Sequence, residues 1–250
     1  MKFIKHLPNF LTICNALLGS FALFVLFVDS LGFYGDNRYL FVISLVFFAA
    51  IFDYLDGFFA KILNIKSKIG SQLDSFSDLI SFAIVPAFLL IDFISENQYP
   101  PYLKLLPLLI IICSIFRLSK FNVLESSIHF KGLPTPANAL FFLGLPSFIF
   151  SLSELILTSI IIIFSFLLIS NFKFYSFKSF KNKDEKQFLL VMILIEFPLI
   201  ILSFVKSVEF TSLLSYMVLV YVISCFVISG INKQASSNWS LWINTLWVYK

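Results

Sequence analysis

The chain has 250 residues, of which 59% are hydrophobic and 13% charged, and its mean hydropathy is +0.95. That excludes an ordinary soluble domain and points to an all-α polytopic membrane protein. The net charge of +4 is no nucleic-acid signal, because the basic residues are scattered over short loops.

Apolar runs place eight spans, at about 9–28, 40–60, 72–92, 102–120, 136–152, 154–172, 187–205 and 210–230. The fifth and sixth have almost no loop between them, so they also read as one broken or re-entrant element. Met1 to His6 is basic and precedes an apolar run long enough to span. No small-x-small cleavage pattern follows, so this reads as a retained first span and not as a signal peptide. With both termini inside, only Arg38, Lys104 and Lys206 of the 18 basic residues fall outside, which fits the positive-inside rule.

The first span opens HLPNFLTICN. Pro8 suits a helix start, and Asn9, Thr12 and Asn15 run along one side. Capping and helix–helix hydrogen bonding are the plain account of these three.

The second and third spans carry Asp53 to Asp78, DYLDGFFAKILNIKSKIGSQLDSFSD. Asp53 and Asp56 are i,i+3, and Gly57 and Ala60 continue their face. Asp74 and Asp78 are i,i+4, with Gly70 one turn earlier. Leu63 to Ser67, with Asn64, reads as a turn that would bring the two helices side by side and the four carboxylates together. Ionisable residues at membrane depth mark function by default. Carboxylates this close repel unless cations neutralise them, and an all-oxygen set suits Mg²⁺ or Mn²⁺. The third span is polar in its first half through Ser71, Asp74, Ser75, Ser77, Asp78 and Ser81, which predicts a face on a water-accessible cavity.

At the end of the fourth span comes FRLSKFNVLESSIHFKGLPTP, with Arg117 and Lys120 at i,i+3. Single basic residues here serve as topology anchors. Glu196 is a lone carboxylate in the seventh span. Lys173 to Lys186 is a basic loop that would attract anionic head groups. The tail Asn232 to Lys250 carries Trp239, Trp242 and Trp247 and could lie in the interface. Cys14, Cys113 and Cys225 sit in apolar runs and read as buried free thiols. His6 and His129 read as bystanders. No Ser-His or Cys-His arrangement and no Walker-type loop is apparent. The whole of 1–250 reads as a single membrane domain, with a core at about 7–150 and additional spans at about 154–230.

The pattern D-x2-D-G-x2-A-K-x8-G-x3-D-x3-D, from Asp53 to Asp78, resembles the signature of the CDP-alcohol phosphatidyltransferases. The resemblance implies a helical membrane bundle that transfers a phosphatidyl group from a CDP-linked lipid to an alcohol and releases CMP. It implies two Mg²⁺ or Mn²⁺ ions on Asp53, Asp56, Asp74 and Asp78, with Asp78 the general base. It also implies CDP-lipid contacts from Asn9, Thr12, Gly57, Lys61, Ser67 and Gly70, and a homodimer. One position departs, since the family usually has Arg where this chain has Lys61. The strings LPNFLTICNALLGSFAL, RLxxFNV and KGLPTPA resemble the phosphatidylserine synthase branch. They imply CDP-diacylglycerol and L-serine as substrates, while the distribution of basic residues places the active site and both termini on the cytoplasmic side of a cell (inner) membrane. Arg117 is the natural clamp for the serine carboxylate, with Lys120 second. Two rivals remain: the same transfer to glycerol 3-phosphate or inositol phosphate, and a cation transporter using the aspartates.

Overall fold

The computed structural model describes residues 6–28, 37–65, 67–123, 132–146, 152–172, 174, 192 and 210–231, and among these every regular element is helical. Helix α1 is Leu7–Phe27, with Pro8 in its first turn, where a missing N–H costs nothing. Helix α2 is Arg38–Ile62. Helix α3, Lys68–Leu79, runs through a π turn at Ile80–Ile84 into α4, Val85–Glu96. A 3₁₀ turn at Pro101–Leu105 leads to α5, Leu108–Val123. Then come α6, Thr135–Gly144, α7, Glu154–Ile169, and α8, Phe210–Ile231.

Among the described residues, four continuous helical stretches are long and apolar enough to cross a membrane: Leu7–Phe27, Arg38–Ile62, Lys68–Glu96 and Pro101–Val123. α7 and the apolar part of α8 are shorter. Polytopic all-α architecture follows, as composition requires. The expected seventh span at 187–205, with Glu196, lies outside the described residues except for Met192, which is buried in the core. The basic loop Lys173 to Lys186, apart from the described Phe174, the tail from Asn232, and Lys66, His129 and Lys131 also lie outside them. Of the expected fifth span, 136–152, α6 covers Thr135–Gly144 and residues 147–151 lie outside the described residues; α7 begins at Glu154.

The turn between α2 and α3 is built as its sequence suggests. Asn64 takes φ 51°, the left-handed conformation that Asn tolerates better than most residues. Ile65 N–H then reaches Ala60 O at 2.9 Å and Asn64 N–H reaches Lys61 O at 3.3 Å, closing the last turn of α2. Ser67 caps α3 by accepting from Gly70 N–H at 2.9 Å. The π turn has its cause in Pro86, which cannot donate to the helical ladder. The registry shifts, and Val85 N–H bonds Ile80 O five residues back.

α1 packs against both α2 and α3. One core cluster joins Ala22 and Val25 of α1, Val42, Val46 and Ala49 of α2, and Phe82 and Leu89 on the third long helix. A second joins α4, α6, α7 and α8, with the Phe141 and Phe164 rings stacked at 3.7 Å. At the start of α2 a charged clamp ties two helices together. Arg38 Nη2 donates to Asp92 Oδ2 at 2.6 Å and Glu96 Oε1 at 2.7 Å. Tyr39 OH lies 2.8 Å from Asp92 Oδ2 and 2.7 Å from Glu96 Oε2 and has one proton to share between them. This clamp stands about 22 Å along α2 from Asp53, by the helical rise.

Candidate active site

Three of the four motif carboxylates converge. Asp53 and Asp56 on α2 and Asp74 on α3 each offer an oxygen, and these oxygens all lie within 4.8 Å of one another. Asp56 is buried and the other two are half-buried, open on one side. The turn at Asn64 produces this: it folds α3 back along α2 so that the i,i+3 pair faces Asp74. Three carboxylates drawn together repel one another, and the donor set is all hard oxygen. Its composition fits a divalent cation such as Mg²⁺ or Mn²⁺ and would not suit a soft-ligand metal.

Asp78 is not in that three-carboxylate group. It lies one turn deeper on α3, buried, and receives Asn15 Nδ2 on Oδ1 at 3.5 Å. Asn15 is fully buried on α1. It emerged from the sequence only as part of a polar stripe, and i,i+3 spacing from Thr12 was the signal that could have singled it out. Thr12 Oγ1 lies 2.6 Å from Asp56 Oδ2 and 2.9 Å from Pro8 O. The first helix therefore supports the site from behind.

The remaining expected residues fall at distinct places. Asn9 and Gly70 are neighbours: a Cβ on Gly70 would sit 3.0 Å from Asn9 Oδ1 and 2.8 Å from Ser67 Oγ. Glycine there lets three polar groups gather at the mouth of the site. Gly57 and Lys61 are exposed on α2, one and two turns beyond Asp53 and towards the Asn64 turn. Lys61 lies in the last turn of the helix, where a cation is favoured.

The polar half of α3 is not all turned to a cavity. Ser77 Oγ donates to Thr12 O and Ser81 Oγ to Asn15 O, both at 3.0 Å. Ser71 and Ser75 hydroxyls reach Asn122 Oδ1 at 3.2 Å, and Asn122 Nδ2 returns a bond to Ser75 at 3.0 Å. These serines fasten α3 to α1 and α5, because unpaired hydroxyls at membrane depth are costly.

Arg117 and Lys120 part company. Arg117 Nη1 donates to Thr135 Oγ1 at 2.9 Å, and its Nε is sealed from solvent with no hydrogen-bond partner among the described residues. The guanidinium lies in the field of the Asp78 and Asp53 carboxylates. Lys120 is exposed and donates to Asn171 Oδ1 at 3.3 Å, towards the end of α7. Thr135 is placed by the loop before it. Gly132 takes φ +82°, and a Cβ there would collide with Leu168 O, so only glycine fits. Gly132 N–H bonds Phe172 O and Leu133 N–H bonds Leu167 O, both at 2.9 Å, which pins this loop to the end of α7.

Comparison with known proteins agrees with this geometry. Residues 5–172 match the CDP-alcohol phosphatidyltransferase family, farther along the chain than the motif strings reach. A Methanocaldococcus jannaschii protein named CDP-diacylglycerol–serine O-phosphatidyltransferase is 37% identical over 132 residues, 52% of this chain and 62% of that one. The matched part thus spans about three fifths of that relative. Proteins of the same name from Bacillus subtilis and Helicobacter pylori are 30% and 28% identical. The first match covers 70% of this chain and 93% of the relative, the second 86% and 88%. With its aspartate motif folded into one cluster and two thirds of its length matched, the chain belongs to the CDP-alcohol phosphatidyltransferase family.

Proposed function

We propose that the protein transfers the phosphatidyl group of CDP-diacylglycerol to the hydroxyl of L-serine, giving phosphatidylserine and CMP. The observation that carries this reading is a half-buried arginine, bonded across to α6, within electrostatic reach of the carboxylate site. Arg117 lies in the field of Asp78 and Asp53 and keeps Nε unspent. The names of the relatives point to the same acceptor.

Asp53, Asp56 and Asp74 would hold two Mg²⁺ or Mn²⁺ ions, with Asp78 at the edge of the set. When bound, such ions neutralise the diphosphate and the CMP leaving group. Asn9, Thr12, Ser67, Gly70, Gly57 and Lys61 border the place for the CDP part. Lys61 supplies one positive charge to a phosphate without the fork of an arginine. Arg117 holds the serine carboxylate, with Lys120 as an outer attracting charge. Asp78 takes the proton of the serine hydroxyl. The serine oxygen bonds to the lipid-bearing phosphorus, the bond from that phosphorus to the CMP oxygen breaks, and the proton passes from Asp78 to water. Placement in the cell membrane with the site on the cytoplasmic side accords with the distribution of basic residues. A homodimer is the assembly expected from the family resemblance.

The test is CMP release by purified protein with CDP-diacylglycerol and Mn²⁺ or Mg²⁺. Separate reactions contain L-serine, glycerol 3-phosphate, inositol phosphate or no acceptor. Serine-dependent release with phosphatidylserine formed is the expected result. Release with a phosphate-bearing acceptor alone would keep the aspartate chemistry and remove the role given to Arg117. No release in any reaction, with cation flux in liposomes, would replace the transferase by a transporter.

A further inference from the structure

Asn138 is a buried group one helical turn from the arginine's partner Thr135, and the chemistry above does not use it. It is 0% exposed, and neither Oδ1 nor Nδ2 has a hydrogen-bond partner among the described residues. A buried amide normally satisfies both atoms, and a primary amide with neither satisfied calls for a ligand or bound water. Its position says which ligand. Asn138 is one turn along α6 from Thr135, on the same helical face, and Thr135 Oγ1 accepts the bond from Arg117. On α5, Ser114 stands one turn before Arg117 on that helix's face. Ser114 is also 0% exposed and its Oγ is also without a partner. Each of the two helices thus carries an unspent polar group one turn from the Arg117–Thr135 bond.

We propose that Asn138 reads the α-ammonium group of the acceptor and so selects an amino acid over other small alcohols. This rests on the reading of serine as acceptor. An amino acid carries a cation and an anion on one carbon. Arg117 complements only the anion, and its own charge would repel the cation. Asn138 is neutral and offers a carbonyl oxygen to the ammonium group. Its NH₂ can meanwhile add a bond to the carboxylate that Arg117 holds. An aspartate there would place a further negative charge beside the site's own carboxylates, whereas an amide accepts the ammonium without that repulsion. A site built to hydrogen-bond a substrate group also rejects analogues that lack it, since its own polar atoms are then left unpaired.

The experiment compares L-serine with 3-hydroxypropionate, which is serine without its amino group, in wild type, Asn138→Leu and Asn138→Ala. Wild-type protein should strongly prefer serine. If it does not use serine at all, the acceptor reading itself has failed. In both variants the KM for serine should rise about tenfold to a hundredfold, the loss of one charge-assisted hydrogen bond. The KM for CDP-diacylglycerol should stay within about twofold of wild type, and the preference for serine over 3-hydroxypropionate should largely vanish. A folded variant that keeps both the serine KM and the preference overturns the proposal. So does one that loses turnover on both acceptors equally, since that is what a structural role gives. Alanine, being smaller, carries the test where leucine prevents folding.

Discussion

The hydroxyl of Thr12 lies 2.6 Å from Asp56 Oδ2, across 44 residues of sequence, and ties the first helix to the carboxylate cluster. Thr12 has a single proton to give, and Pro8 O at 2.9 Å competes for it. The charged carboxylate is the stronger acceptor. Outer partners of this kind orient a ligand, and their loss typically costs about 10- to 100-fold in metal affinity. Thr12→Val should therefore raise the Mn²⁺ or Mg²⁺ concentration needed for half-maximal CMP release by about that factor. Thr12→Ser should restore it. A Thr12→Val protein with an unchanged metal requirement would show that Asp56 orients itself.

Asp78 is not in the group of three clustered carboxylates, and under the proposed mechanism this divides metal holding from proton removal. Asp78→Asn should lower turnover by about 10² to 10⁴, the usual share of a general base. Mn²⁺ binding, followed by electron paramagnetic resonance, should change much less, because Asp53, Asp56 and Asp74 remain. Near-normal turnover would remove the general-base assignment, and loss of Mn²⁺ binding would make Asp78 a ligand first.

Lys61 is exposed near the end of α2, with room for a larger head. Lys61→Arg should preserve or raise CMP release, since a guanidinium can meet a phosphate with two bonds. Lys61→Met should raise the KM for CDP-diacylglycerol. An arginine variant slower than wild type would mean that the compact ammonium is required.

The clamp of Arg38 with Asp92 and Glu96 is remote from the carboxylate cluster. Arg38→Met would leave two carboxylates one turn apart on α4 without their shared cation. Thermal stability in detergent should fall by about 1–2 kcal/mol, the scale of a partly buried charge-assisted pair. CMP release per folded molecule should be unchanged. A loss of activity without a loss of stability would connect this end of the bundle to the chemistry.

Much of the site was legible because its spacing is helical. The i,i+3 pair at Asp53 and Asp56, the turn at Asn64 and the cap at Ser67 are local relations, and the structure carries each of them. The seven described helices or helical stretches that match apolar runs were legible for the same reason. What was not legible depends on contacts between distant segments. The serines of α3 read as a wet face, yet Ser77 and Ser81 bond the backbone of α1, and Ser75 bonds Asn122. Arg117 and Lys120 look alike at i,i+3, but only Arg117 meets α6, while Lys120 reaches Asn171. The π turn needed Pro86 to be read as a shift in registry within one long helix, where composition shows only an apolar run.

The two backbone bonds from Gly132 and Leu133 to the end of α7 have a consequence for the limits of the working unit. The family match stops at residue 172, the residue whose carbonyl receives the first of these bonds. The chain there closes a clasp on the strap that carries Thr135, and through it on Arg117. A protein cut after α6 would keep every aspartate of the motif and lose the fastening of the strap that carries Thr135. It would also lose the α7 and α8 partners of the second core cluster, so its thermal stability in detergent should fall. The fastening between these two parts of the family-matched region is thus made by a loop that holds no charge at all in its described part.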